Sequence, residues 1–222
     1  VKSGRTIIIG DVHGCSWELK QLVEKLCITP EDRVYFVGDL INKGPNSLKV
    51  YRRFRAMGAQ AVIGNHELAV LHQVDGKRTP TTMFKKLKRS FGSEFKAFVK
   101  DLRSWPSFIE EDDFLLVHAG VIPGKGLTDC KKRDLANIRT WDGIGDDLQN
   151  PKNPPWYRFY EGEKLVVFGH WAAKGLVNRP NVIGLDTGCV YGKELSALIL
   201  PERKIVSVKA REAYCLIRRR LS

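Results

Sequence analysis

Five short apolar runs, each stopped by a turn rich in glycine and in Asp, Asn or His, constrain this 222-residue chain more than any other feature. Thr6-Ile-Ile-Ile9 leads into Gly10-Asp-Val-His-Gly14, and Val34-Tyr-Phe-Val37 into Gly38-Asp39. Ala61-Val-Ile63 leads into Gly64-Asn-His-Glu67, Phe114-Leu-Leu-Val117 into His118-Ala-Gly120, and Leu165-Val-Val-Phe168 into Gly169-His170. The runs are too short for helices and are filled with β-branched and aromatic residues, so they read as buried strands. Loops at the carboxyl ends of such strands are where open α/β sheets gather their ligand sites, which lets groups distant in sequence converge. The flanking glycines permit tight turns and close approach of backbone to a ligand.

These turns carry six side chains able to bind a metal: Asp11, His13, Asp39, Asn65, His118 and His170. One ion takes three or four protein ligands, so six of mixed type point to two ions sharing a carboxylate, an arrangement suited to phosphoester chemistry. Of five histidines, four (His13, His66, His118, His170) fall in these turns; only His72 does not, and it is expected to be structural, in a helix after Glu67.

In this order the five motifs, with Gly38-Asp-Leu-Ile-Asn-Lys-Gly44 extending the second, resemble those of the calcineurin-like metallophosphoesterases of the phosphoprotein phosphatase superfamily. Gly44-Pro45, Asn46-Ser-Leu48 and Gly184-Leu-Asp-Thr-Gly-Cys189 are similar to the symmetrical diadenosine tetraphosphatases and their ApaH-like relatives, and the likeness runs from about residue 7 to 200. The resemblance implies that Asp11, His13 and Asp39 hold one ion while Asp39, Asn65, His118 and His170 hold the other, with a bridging water as nucleophile. Carboxylate, amide and imidazole ligands suit manganese first, then iron, zinc or cobalt, better than calcium. It further implies His66 as the general acid for the leaving oxygen.

Two positions depart from the protein phosphatases, which carry Asp-Arg where this chain has Asn42-Lys43. Asn42 brings no charge to His66, so it raises the imidazole pKa less than an Asp would. A weaker acid suffices for a phosphoanhydride, whose leaving group is good, and disfavours a serine ester. Lys43 is a mobile point charge without a guanidinium's fork, which fits a polyphosphate chain. The resemblance also implies a second phosphate contact, an arginine between the last two motifs, for which Arg139 is the best candidate, with Arg133 and Arg158 as rivals.

The rest of the chain fits one catalytic domain over residues 1–222, at 43% apolar with no internal linker or repeat. Helical spacing over Ser16–Cys27 and Ser47–Met57, and two helices in Thr81–Ser104 broken at Gly92-Ser93, give crossovers of a parallel half-sheet. Later strands over Val182–Leu185, Ser196–Leu200 and Ile205–Val208 lack helices between them and read as antiparallel hairpins. The expected class is α/β, two mixed sheets face to face and flanked by helices, a four-layer sandwich whose layer count comes from the resemblance. Residues 142–160 form an irregular loop ending in Trp156-Tyr-Arg-Phe-Tyr160, an aromatic cluster that stacks a base or plugs the core.

Five scattered cysteines without a Cys-x-x-Cys pair argue against structural zinc or a disulfide frame and for a reducing, intracellular compartment, with the cytoplasm expected. Cys15, at a helix start, is read as an ordinary turn residue. The chain starts at Val1, so a targeting segment is expected to be missing; no membrane span and no obligate partner are evident. The net charge of +12, with basic clusters at Lys85–Arg89, Lys131–Arg133 and Arg218–Arg220, suits a polyanionic substrate. A dinucleoside polyphosphate or an RNA cap is the expected substrate; the alternatives are a serine/threonine phosphatase acting on phosphoproteins and a non-catalytic RNA- or protein-binding module.

Overall fold

The computed structural model describes residues 4–216, so the basic tail at Arg218–Arg220 lies outside the described residues. In chain order the first half runs β1 (Thr6–Ile9), α1 (Ser16–Leu26), β2 (Arg33–Phe36), α2 (Ser47–Ala56), β3 (Gln60–Ala61), α3 (Asn65–Val74), α4 (Thr82–Phe91) and α5 (Phe95–Ser104). The second half runs β4 (Phe108–Glu110), β5 (Phe114–Val117), α6 (Lys132–Leu135), β6 (Leu165–Phe168), β7 (Val177–Arg179), β8 (Val182–Gly184), β9 (Glu194–Leu200) and β10 (Lys204–Lys209).

Ten strands form two five-stranded mixed sheets, ordered β10-β9-β1-β2-β3 and β4-β5-β6-β8-β7. In the first, β1, β2 and β3 are parallel, as their helical crossovers demand, and β9 with β10 closes one edge as an antiparallel hairpin. In the second, β5, β6 and β8 are parallel, with β4 and β7 as antiparallel edges.

The Ile7-Ile8-Ile9 run shows why these strands are apolar on both faces. Ile7 and Ile9 point to a core shared with α1, α2, α4 and α5, while Ile8 faces the other sheet with Tyr35, Phe114, Leu116, Val167 and Leu198. Such doubly covered strands lose the polar alternation of a half-exposed sheet. A third apolar cluster covers the outer face of the second sheet, where Val117, Val166 and Phe168 meet Ile122, Leu135, Ile138 and Trp156. That outermost layer is the single-turn α6 and the irregular segment around Trp156, rather than long helices.

Two of the helices begin at a capping side chain. Asn46 Oδ1 accepts from Lys49 N at 3.0 Å at the start of α2, and Thr81 Oγ1 from Phe84 N at 3.2 Å at the start of α4. The break expected at Gly92-Ser93 is a 3-10 turn over Gly92–Glu94, entered with Gly92 at φ 51°. One expectation fails: Val182–Gly184 does not hairpin with the following strand. It lies in the other sheet, parallel to β6, because the three-residue β7 makes the turn that a helix would otherwise make.

Candidate metal centre

The turns after β1, β2, β5 and β6, and the first turn of α3, meet at the same end of the two sheets. Asp39 stands at the middle. Its Oδ2 lies 3.6 Å from His13 Nε2 and 3.5 Å from His118 Nε2, and its Oδ1 accepts from His66 N at 3.0 Å. Asn65 Oδ1 lies 3.0 Å from His118 Nε2 and 2.9 Å from His170 Nδ1. Ligand atoms of His13, Asp39 and His66 fall within 4.8 Å of one another, as do those of Asp39, His118 and His170. Asp11 joins from the side, its two oxygens accepting from His170 N at 3.1 and 3.2 Å.

The imidazoles are oriented as ligands require. His13 Nδ1 donates to Ile41 O at 3.1 Å and His118 Nδ1 to Val37 O at 2.7 Å, which fixes each tautomer and turns the Nε2 lone pair toward Asp39. Glu67 holds the central turn: its fully buried carboxylate accepts from Asp39 N at 2.9 Å and Leu40 N at 3.0 Å. Gly64 packs so close that a Cβ there would strike Asp39 and Glu67, and a Cβ at Gly169 would strike Asp11.

The backbone is strained at the same place. Of seven non-glycine residues in the left-handed region, five are His13, Asp39, Asn42, Lys43 and His170. Each such residue costs on the order of 1–3 kcal/mol, and strain of this kind concentrates where side-chain placement matters more than local comfort.

The electrostatics describe a buried pocket short of positive charge. Burial, then Asp186 and Asp39, push the Asp11 carboxyl well above its usual range, and burial followed by Asp39 does the same to Glu67. Asp186 is pushed up to about 6, chiefly by burial. Burial opposes charge on Asp39 too, but His118, His66, His13 and Lys43 around it hold that carboxyl far below the ordinary range. Burial and Lys43 keep His13 neutral, and burial, His118 and Arg139 do so for His170. Neutral imidazoles, an amide oxygen and clustered buried carboxylates are a donor set that fits divalent cations.

His66, Asn42, Lys43 and Arg139 all reach this centre. His66, Lys43 and Arg139 line a cleft of about 340 Å³ with Asp39, Asn65 and His170. Lys43 Nζ donates to His13 Nε2 at 3.0 Å and sits 5.4 Å from the Tyr191 ring centroid; burial opposes its charge, but Asp39 and Tyr191 hold its pKa above the ordinary value. Asn42 meets His66 through its amide nitrogen, Nδ2 to Nδ1 at 3.1 Å. The imidazole then takes that bond as acceptor and keeps its proton on Nε2. Burial lowers the His66 pKa, with Lys43 adding to the effect against Asp39. The rival arginines are elsewhere: Arg133 is exposed beside Asp134, and Arg158 is exposed in a 3-10 turn.

A profile described as calcineurin-like phosphoesterase matches residues 4–204. The chain belongs to this family. Its members use a dinuclear divalent metal centre, and the ligand groups around Asp39 are this chain's candidates for it. Proteins named symmetrical bis(5'-nucleosyl)-tetraphosphatase are similar along nearly their whole length. That of Janthinobacterium sp. (strain Marseille) is 30% identical over 262 residues, covering 92% of this chain and 96% of the relative. That of Bordetella pertussis (strain Tohama I) is 31% identical over 275 residues, covering 94% and 96%. A crystal structure titled as a putative diadenosine tetraphosphatase superposes with a TM-score of 0.84 at 32% identity, covering 94% of this chain and 95% of that one. A protein serine/threonine phosphatase from Saccharomyces cerevisiae, at 13% identity and TM-score 0.57, shares the fold.

Five cleft residues have no role assigned from sequence: Asp186, Tyr191, Trp171, Ala172 and Ala173. Asp186 was within reach, since it follows β8 as Asp39 follows β2. The aromatic cluster resolves toward packing: Trp156 is fully buried, donates from Nε1 to Ala119 O at 3.1 Å and stacks edgewise on Phe168. His72 lies half-buried in α3, away from the cleft. All five cysteines are free, yet folding brings Sγ of Cys15 and Cys189 and a Glu18 oxygen within 4.8 Å of one another, a proximity their sequence spacing conceals.

Proposed function

We propose that this calcineurin-like hydrolase cleaves the phosphoanhydride bridge of dinucleoside polyphosphates, splitting diadenosine tetraphosphate into two ADP. The observation that carries the reading is the placement of Asp39 Oδ2 between His13 Nε2 and His118 Nε2, in a chain 30–32% identical over nearly its full length to proteins named for that activity. Asp11, His13 and Asp39 would hold one cation and Asp39, Asn65, His118 and His170 the other, with manganese the first choice. When bound, such a pair supplies an acidified water at neutral pH and offsets phosphoryl charge.

The chain's own groups do the rest. Glu67 and the two histidine-to-carbonyl bonds hold the ligand set rigid, so little rearrangement is needed as charge develops. Lys43 and Arg139 face the cleft where the substrate's phosphates would lie. As the water oxygen sheds a proton to solvent and bonds to phosphorus, the anhydride P–O bond breaks and its electron pair stays on the departing phosphate. Neutral His66 donates a hydrogen bond from Nε2 to that oxygen and keeps its proton. A hydrogen bond from a neutral imidazole is adequate for a nucleoside diphosphate, which leaves as an anion, and poor for a serine alkoxide, which needs a full proton. Residues 4–216 act in this reading as one catalytic unit; among them no helix is long and apolar enough to cross a membrane. Five free thiols favour a reducing compartment, the cytoplasm in our reading.

A panel of diadenosine tetraphosphate, capped RNA and a phosphopeptide, assayed with manganese and with product analysis, tests the proposal. Diadenosine tetraphosphate should give ADP alone. Faster turnover of the phosphopeptide, or AMP with ATP as products, would overturn it. A folded protein inactive on every substrate would favour a binding module.

A further inference from the structure

We propose that the groove between the Asn42–Lys49 segment and α4 is a second binding subsite, which holds the nucleoside diphosphate half that departs from the metal centre. The groove encloses about 600 Å³ and opens beside the metal cleft, sharing Lys43 with it. Asn42, which contacts His66, also lines it. A group leaving the cleft past Lys43 therefore has this groove as its continuation.

Its chemistry matches a nucleotide. The lining contains four cations, Lys43, Lys49, Arg52 and Lys86, and no carboxylate. Lys49 and Lys86 are exposed and form no ion pair among the described residues, whereas Arg52 is tied to Glu94 across the groove end. Two uncompensated ammonium groups lining one groove repel, and a diphosphate bound there relieves that repulsion. Pro45, Leu48, Met83 and Leu87 supply apolar surface, with Met83 44% exposed. An exposed unbranched thioether is a compliant platform for an aromatic base. Asn46 and Ser47 add polar side chains. Cations beside apolar surface suit phosphates plus a nucleoside better than inorganic polyphosphate, which has no use for the apolar part.

The assignment to the departing half rests on the proposed phosphoanhydride reaction; the groove's affinity for a nucleoside diphosphate does not. Calorimetry with ADP and, separately, inorganic phosphate therefore tests the site directly, using the whole chain with manganese. In Lys49→Ala/Lys86→Ala the ADP Kd should rise about tenfold, equivalent to about 1.4 kcal/mol shared between two lost phosphate contacts. The Kd for inorganic phosphate, a ligand of the metal centre only, should stay within about twofold. The tenfold difference should shrink at high salt, as screening predicts. Met83→Ala should weaken ADP but leave pyrophosphate unchanged. The KM for diadenosine tetraphosphate should rise in step with the ADP Kd while kcat holds. Unchanged ADP affinity in the double variant, equal weakening of ADP and inorganic phosphate, or no ADP binding by wild type would each overturn the subsite. A wild type that binds ADP in this pattern yet does not cleave diadenosine tetraphosphate would sink the proposed reaction and leave the subsite standing.

Discussion

Glu67 offers the sharpest test of how the centre is built. It touches no substrate and is read here as the clamp on the Asp39 turn. Its carboxylate is fully buried and takes the amide protons of Asp39 and Leu40 at 2.9 and 3.0 Å. Glu67→Ala leaves both amides buried without an acceptor. Each unsatisfied group costs about 1–3 kcal/mol, so the pair costs about 2–6 kcal/mol. Against a typical domain stability of about 5–15 kcal/mol, that is a large fraction. With a urea dependence of about 2–3 kcal/mol per molar, the unfolding midpoint should fall by about 0.7–3 M. Glu67→Gln keeps one acceptor oxygen and turns an NH2 group toward the second amide, so it should lose about half as much. Both variants release an Asp39 held at φ 51°, and kcat should fall even where the chain remains folded. Equilibrium urea unfolding, followed by Trp fluorescence, reads the first effect and steady-state hydrolysis the second. A Glu67→Ala midpoint within about 0.3 M of wild type would refute the clamp.

Asn42→Asp replaces a neutral donor to His66 by a carboxylate that must accept from a protonated Nδ1, which raises the imidazole pKa; turnover of a phosphopeptide relative to diadenosine tetraphosphate should rise about tenfold per pKa unit gained, and an unchanged ratio would refute the acid argument. Trp156→Ala should cost about 3–5 kcal/mol in urea unfolding, with the nucleotide KM of the remaining folded enzyme unchanged; the reverse pattern would restore the base-stacking reading. Asp142 accepts from the amides of Ile144, Gly145, Asp146 and Asp147, and these backbone bonds, Gly145 first, lower its pKa to about 2. A carboxyl depressed on folding stabilises above its unfolded value near pH 4 and loses that contribution as pH falls toward 2. Amide exchange at Gly145 and Asp147 should quicken over that window in wild type and be fast throughout in Asp142→Ala; exchange insensitive to both would contradict it.

Much of this was legible in the sequence because strands covered on both faces announce themselves as apolar runs, and their carboxyl ends are marked by the glycines that let Asp39 and Asp11 pack against neighbouring backbone. Ile7-Ile8-Ile9 and Gly64-Asn-His are examples where local pattern and tertiary role coincide. The pairing of β8 was not legible, since three apolar residues fit either sheet and only the short edge strand β7 decides between them. The clamp at Glu67 was hidden for a related reason: a glutamate opening a helix looks like a favourable helix-dipole residue, and its acceptance of the Asp39 and Leu40 amides appears only when residues 28 and 27 positions apart are brought together. The groove beside α4 escaped because the Lys85–Arg89 cluster suits a polyanion without saying where one binds, and only the packing of α2 against α4 brings Lys86 into one groove with Lys49 and leaves Lys85, Lys88 and Arg89 outside it.

The account stands on two cations sharing the Asp39 carboxylate. Anomalous diffraction from crystals grown with manganese would measure this most directly. Two peaks about 3.5–4 Å apart are expected, both within bonding distance of Asp39, one also reached by Asp11 and His13 and the other by Asn65, His118 and His170. A single peak, or two that do not share Asp39, would contradict it.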